Sequence, residues 1–151
     1  RTLRSKMDLV SQNSQKVAEF LSQHPKVYQV DYLGLESYPL HNLAKKYMTL
    51  VDSDDGKGNA VNRYGHLLSF RVDGPPENAR KVLDSFKIIF RATDLGRIKS
   101  VACIPAISTH QQQGEEAREM ADVPPQLIRL CVGAEDPDDI IGDLDQALKS
   151  I

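Results

Sequence analysis

The chain has 151 residues, of which 40% are apolar and 26% charged, and its formal net charge is −2. That length suits one domain with a full core. Scattered Lys and Arg exclude a basic nucleic-acid stripe, and no apolar run approaches the roughly 20 residues that span a bilayer or shows a signal-peptide pattern.

Leu3, Met7, Val10, Val17 and Leu21 recur at three-to-four-residue spacing and predict one helix from Thr2 to Gln23, ended by His24-Pro25. No capping residue precedes it, and the chain opens on Arg1 rather than Met, so the expectation is a segment of a longer polypeptide. Val27 to Leu33 reads as a strand, Gly34 to Pro39 as a turn-rich loop, and His41 to Met48 as a short helix. Val51 to Tyr64 is the most polar stretch and is expected to be a flexible surface loop. Its Asp52-Ser53-Asp54-Asp55-Gly56 resembles a calcium loop only superficially, because Tyr64 stands near the place of the required bidentate acid.

His66 to Val72 predicts a second strand. Pro75-Pro76 opens a helix through Phe86 with Ala79, Val82, Leu83 and Phe86 on one face. Strands are expected over Ile88–Ala92 and Ser100–Ile104, a polar and partly helical segment over Ser108–Glu119, and a fifth strand over Gln126–Val132. The last helix is strongly marked. Asp136 is the candidate N-cap, Pro137 follows it, and Asp138 and Asp139 load the first turn, where the helix dipole favours anions. Its buried face is Ile140, Ile141, Leu144, Ala147 and Leu148. Five strands separated by helices and loops predict an α+β two-layer sandwich, a small sheet with helices on one face.

The fifth strand carries the feature of most chemical interest. Leu127, Arg129 and Cys131 share one face, and Ile128, Leu130 and Val132 the other. A guanidinium keeps its proton, so burying it costs several kcal/mol unless an anion meets it. That anion is either an internal carboxylate or a ligand carboxylate. Cys103 and Cys131 read as buried thiols of a reducing cytosolic compartment. The four histidines are dispersed and predict no metal site. His110 is read as a loop or packing residue and Cys131 as a strand filler, neither as catalytic.

Five segments in order are similar to the C-terminal domain of the cystathionine-γ-synthase-like, pyridoxal-phosphate-dependent enzymes of cysteine and methionine metabolism. They are Asn13–Leu21 with His24–Val27, Tyr32–Met48, Asp94–Ser100, Ile104–His110 and Leu127–Gly133, followed by the acidic last helix ending Leu144–Leu148. Within that family Gly34–Ser37, Asp84–Lys87 and Lys99-Ser100 resemble the O-acetylhomoserine sulfhydrylases most. The resemblance implies the C-terminal domain of a fold-type I pyridoxal-phosphate enzyme. It implies a linker helix over residues 1–24 from an upstream cofactor domain, and a substrate domain over residues 25–151. It also implies a homo-oligomeric, cytoplasmic parent acting on a small amino acid at its γ-carbon.

The substrate-binding expectations are Arg129, aligned with the arginine that holds the substrate α-carboxylate, and Asp94, which stands where the family carries Ser or Asn. An anionic Asp94 would repel that carboxylate unless it turns away or pairs with Arg91, Arg97 or Arg129. None of the lysines lies in the Ser-x-x-Lys or Ser-x-Thr-Lys setting that the family uses for the cofactor. The cofactor is therefore expected on the upstream domain, no catalytic residue is expected in this chain, and the fragment alone should be inactive. The other readings are a cystathionine γ-synthase, γ-lyase or methionine γ-lyase domain, or a stand-alone binding or assembly module, which a Ser-x-x-Lys context upstream of Arg1 would exclude.

Overall fold

Alternation of apolar residues decides which side of the sheet is covered. In β4 (Leu67–Val72), Leu68, Phe70 and Val72 are buried in the core; in β7 (Leu127–Cys131) and the residue after it, Ile128, Leu130 and Val132 are. The computed structural model describes residues 2–151. These inward residues pack under three helices, α1 (Leu3–Gln23), α3 (Pro76–Ser85) and α5 (Pro137–Leu148). The helices contribute Val17, Ala18, Leu21, Ala79, Val82, Leu83, Ile140, Leu144, Ala147 and Leu148 to one continuous core. This is the expected α+β arrangement with the helices on one face.

The main sheet has the order β1-β4-β7-β6-β5, where β1 is Val27–Asp31, β5 Phe90–Arg91 and β6 Val101–Cys103. All neighbours are antiparallel except β5 and β6, which run parallel. β7 therefore lies at the centre, flanked on both sides. Two short helices, α2 (His41–Tyr47) and α4 (Glu115–Met120), lie in the connections. Helix α1 shares the core with the rest of the chain: Val10, Val17 and Leu21 are buried, whereas Leu3, at the start of the predicted stripe, is exposed. Asn13, also buried, donates from Nδ2 to the carbonyls of Gly133 (3.1 Å) and Glu135 (2.8 Å), tying α1 to the end of β7.

Three sequence expectations are corrected. The polar stretch expected as a loop forms a hairpin, β2 (Thr49–Asp54) paired with β3 (Ala60–Asn62) in a separate two-stranded sheet. Arg4 fastens it to α1 by donating from Nε to Val51 O and from Nη2 to Asp52 O, both at 2.9 Å. The predicted strand Ile88–Ala92 shrinks to Phe90–Arg91. The backbone N–H groups of Lys87, Ile88 and Ile89 instead point at the Asp143 carboxylate, at 2.8, 2.8 and 2.9 Å. The first strand likewise stops at Asp31, because Tyr32 turns inward and donates its hydroxyl to Gly65 O at 2.9 Å.

Candidate functional site

The face of the sheet opposite the helices carries the polar chemistry. Register places Asp31, Ser69, Arg129 and Cys103 in one row across β1, β4, β7 and β6. Arg71 and Leu127 form the next row with Gln29. Alternation dictates this: the residues of β4 and β7 that do not enter the core are Leu67, Ser69, Arg71, Leu127, Arg129 and Cys131.

Arg129 is half-buried, where sequence alone predicted a buried group. Its Nη2 donates to the carbonyl of Thr93 at 2.6 Å. Among the described residues it has no carboxylate partner. It lines a cavity of about 580 Å³ together with Asp31, Tyr38, Tyr64, His66 and Ser69. The guanidinium thus faces open space with part of its donor fork uncommitted, and that fork matches a carboxylate bidentately.

Thr93 begins a tight turn closed by Gly96 at φ +73°. The turn is held from several sides. Lys6 Nζ donates to Gly96 O, Cys131 Sγ lies 4.0 Å from Asp94 O, and a Cβ added at Gly96 would come within 3.7 Å of the His66 ring. Burial, helped by the Lys6 ammonium, holds the His66 imidazole below the usual histidine range. Burial likewise pushes the Cys131 thiol up, so it is no ready nucleophile. His110 Nδ1 lies 2.8 Å from the Thr109 hydroxyl.

Asp94, the second sequence candidate, pairs with Arg97 three residues on and makes no ion pair with Arg129 or Arg91. Arg91 is engaged by Asp84 at 3.0 Å. Asp31 is drawn the other way along its strand row: Gln29 Nε2 donates to it at 2.9 Å, and Arg71 Nη2 approaches at 3.7 Å.

Arg71, which sequence reading passed over, is the buried arginine of this face, its side chain 10% exposed. Its main partner is Asp122, at 2.6 Å. Its position two residues beyond Ser69 on the same face was the available signal. The Arg71 hydrogen bond lowers the Asp122 carboxyl below the ordinary value of 3.8. A depressed folded value means that the pair's stabilisation is complete above the ordinary value and is lost as the pH falls through the lowered one. Between about pH 5 and about pH 3 the urea midpoint of the protein should therefore fall less in Asp122→Asn than in the wild type. Equal falls would show that the pair is inert.

A family model described as "Cys/Met metabolism PLP-dependent enzyme" matches residues 1–149. The chain belongs to this family. It is 40% identical over 98% of its length to the homocysteine synthase of Schizosaccharomyces pombe, and spans 32% of that protein. It is 38% identical over 99% of its length to the cystathionine gamma-lyase of Sus scrofa, and spans 34% of it. In three dimensions it is similar to a protein of Campylobacter jejuni provisionally assigned as an O-acetylhomoserine (thiol)-lyase, whose structure carries N'-pyridoxyl-lysine-5'-monophosphate. That match has a TM-score of 0.85 at 38% identity and covers 98% of this chain and 32% of the other. The chain thus spans about a third of the length of the relatives it matches.

The family is pyridoxal-phosphate-dependent. The lysines of this chain do not fit the cofactor's covalent anchor. Such a lysine is activated by desolvation or a neighbouring cation, yet all the lysines are exposed except Lys6, which is half-buried and bonded to Gly96 O. No described helix is long and apolar enough to cross a membrane.

Proposed function

We propose that this domain supplies the carboxylate-binding side of a pyridoxal-phosphate enzyme that replaces the γ-substituent of an activated homoserine, as an O-acetylhomoserine sulfhydrylase does. The observation that carries the reading is Arg129 on the central strand, lining a cavity, its fork partly free and its one side-chain polar contact a backbone carbonyl. When bound, the cofactor withdraws electrons from the amino acid. The lysine that holds it is assigned to the remaining two thirds of the protein, and the working unit is a homo-oligomer. Arg129 would grip the α-carboxylate and so fix the orientation of the bound amino acid, an effect of positioning. Asp94 borders this site.

In the full-length protein, Arg129→Ala should raise KM for the amino acid at least about tenfold, with Arg129→Lys intermediate because a point charge cannot reproduce the two-pronged contact. An unchanged KM in Arg129→Ala would sink this role.

The similarity to a cystathionine gamma-lyase supports elimination as a second reading. Incubation with O-acetylhomoserine, with and without sulfide, separates the two. Replacement requires sulfide and yields a thiol amino acid; elimination releases ammonia and a keto acid without it.

A further inference from the structure

We infer that Arg97 is a positioning residue, which keeps Arg129 open to an incoming carboxylate by holding Asp94 to itself. The inference rests on the reading of Arg129 as a carboxylate anchor. Two aspartates lie on the elements around that guanidinium. Asp31 lies in its cross-strand row, one strand beyond Ser69, and lines the same cavity. Asp94 directly follows Thr93, whose carbonyl Arg129 already touches. An internal carboxylate so placed would compete with any ligand, because it is tethered and pays no association cost.

Neither aspartate is free. Asp31 is engaged by Gln29 and Arg71, and Arg71 is itself fixed by Asp122. Asp94 is engaged by Arg97 across the Gly96 turn. Each of these anions thus has its own donor or cation, and the Arg129 guanidinium is left with a neutral carbonyl. Of the two guards, Arg97 is the one whose removal leaves the fold alone. Its side chain is 52% exposed and among the described residues it pairs with Asp94 alone, whereas Arg71 is buried beneath two carboxylates.

Loss of Arg97 would free the Asp94 side chain to turn on Arg129. Occupation of the fork by an internal partner lowers apparent affinity by the fraction of time the fork is open. Exposed ion pairs of this kind shift such an equilibrium by up to about fivefold.

The test uses the full-length holoenzyme and calorimetric titration with L-norleucine, an α-amino acid without a leaving group at its γ-carbon. Pentan-1-amine, the same molecule without the carboxylate, is the control. Arg97→Ala should weaken norleucine binding by up to about fivefold and leave pentan-1-amine unaffected. The double variant Arg97→Ala/Asp94→Asn should return norleucine affinity to the wild-type value. If Arg97→Ala binds norleucine as the wild type does, or if the double variant stays weak, Arg97 is not acting through Asp94 and the inference is overturned. Arg129→Ala serves as the reference. Should it weaken norleucine while Arg97→Ala does not, the anchor stands and this inference alone falls; should it change nothing, the anchor reading fails and takes the inference with it.

Discussion

Asp143→Ala is expected to lower the unfolding free energy by about 4 kcal/mol, read as a shift of the denaturant midpoint. The residue is 4% exposed on α5. Its carboxylate accepts three consecutive backbone N–H groups, from Lys87, Ile88 and Ile89, and a fourth hydrogen bond from Gln146 Nε2 at 3.0 Å. Truncation strips the partner from all three backbone donors at once, and those donors lie at the turn between α3 and β5, where only Ile89 is buried. Each hydrogen bond to a charged group contributes about 1.5–3 kcal/mol, and the sum is below additivity because the donors relax together. Asp143→Asn should cost roughly half as much. Its amide oxygen still accepts, but its NH₂ group faces N–H donors. A loss under about 1 kcal/mol in Asp143→Ala would mean that water replaces the carboxylate and that the turn stands without it.

Asp143 also shows where the sequence was legible and where it was not. Helix α5 was readable throughout: Asp136 accepts from Asp138 N at 2.9 Å, Pro137 opens the helix, and Ile140, Leu144, Ala147 and Leu148 are buried. Asp143 lies on that same stripe, three residues after Ile140 and four before Ala147. A hydrophobic pattern skips it because it is charged, although its spacing announced a buried acid in need of donors. The donors came from a segment about fifty residues away, which took them from the predicted strand, so the short β5 and the buried Asp143 share one cause.

The β2–β3 hairpin gave no signal, for a different reason. Its strands are largely exposed on both faces, so there is no apolar alternation to read, and Asp52 enters the left-handed region at φ 54°. At the site, the arginine in β7 was visible from its apolar neighbours, and its face followed from alternation. Its exposure did not follow, because alternation says which residues share a face and not whether anything covers it. Pairings among charges were legible only locally: Asp94 with Arg97 is a contact of three residues' spacing, whereas Arg71 with Asp122 joins a strand to a loop fifty-one residues on.

Gly133→Ala is expected to lower the unfolding free energy by about 3 kcal/mol and to weaken substrate binding as well. A Cβ at residue 133 would stand 2.2 Å from Glu135 Oε2 and 2.5 Å from both Ile98 O and Ser100 N. The first contact can give by a side-chain rotation; the other two are backbone and cannot. They belong to the knot that sets β6 against β7. Glu135 accepts from Ser100 N at 2.6 Å and from its hydroxyl at 2.9 Å, Gly133 N donates to Ser100 Oγ at 2.9 Å, and Ala134 N donates to Ile98 O at 2.8 Å. Relief of the clash must move Ser100, and with it the start of β6, away from β7. Arg129 is paired with Cys103 across that same strand boundary, and its one polar contact, Thr93 O, lies on the segment that leads into the knot. A displacement of even a few tenths of an ångström therefore reaches the guanidinium through two routes. Glu135→Gln provides the comparison. It keeps the backbone in place while weakening the clamp on Ser100, and so should lose stability with less loss of affinity. If Gly133→Ala unfolds at the wild-type midpoint, the backbone at Ile98 and Ser100 yields freely, and the rigidity assigned here to the β6–β7 knot is wrong.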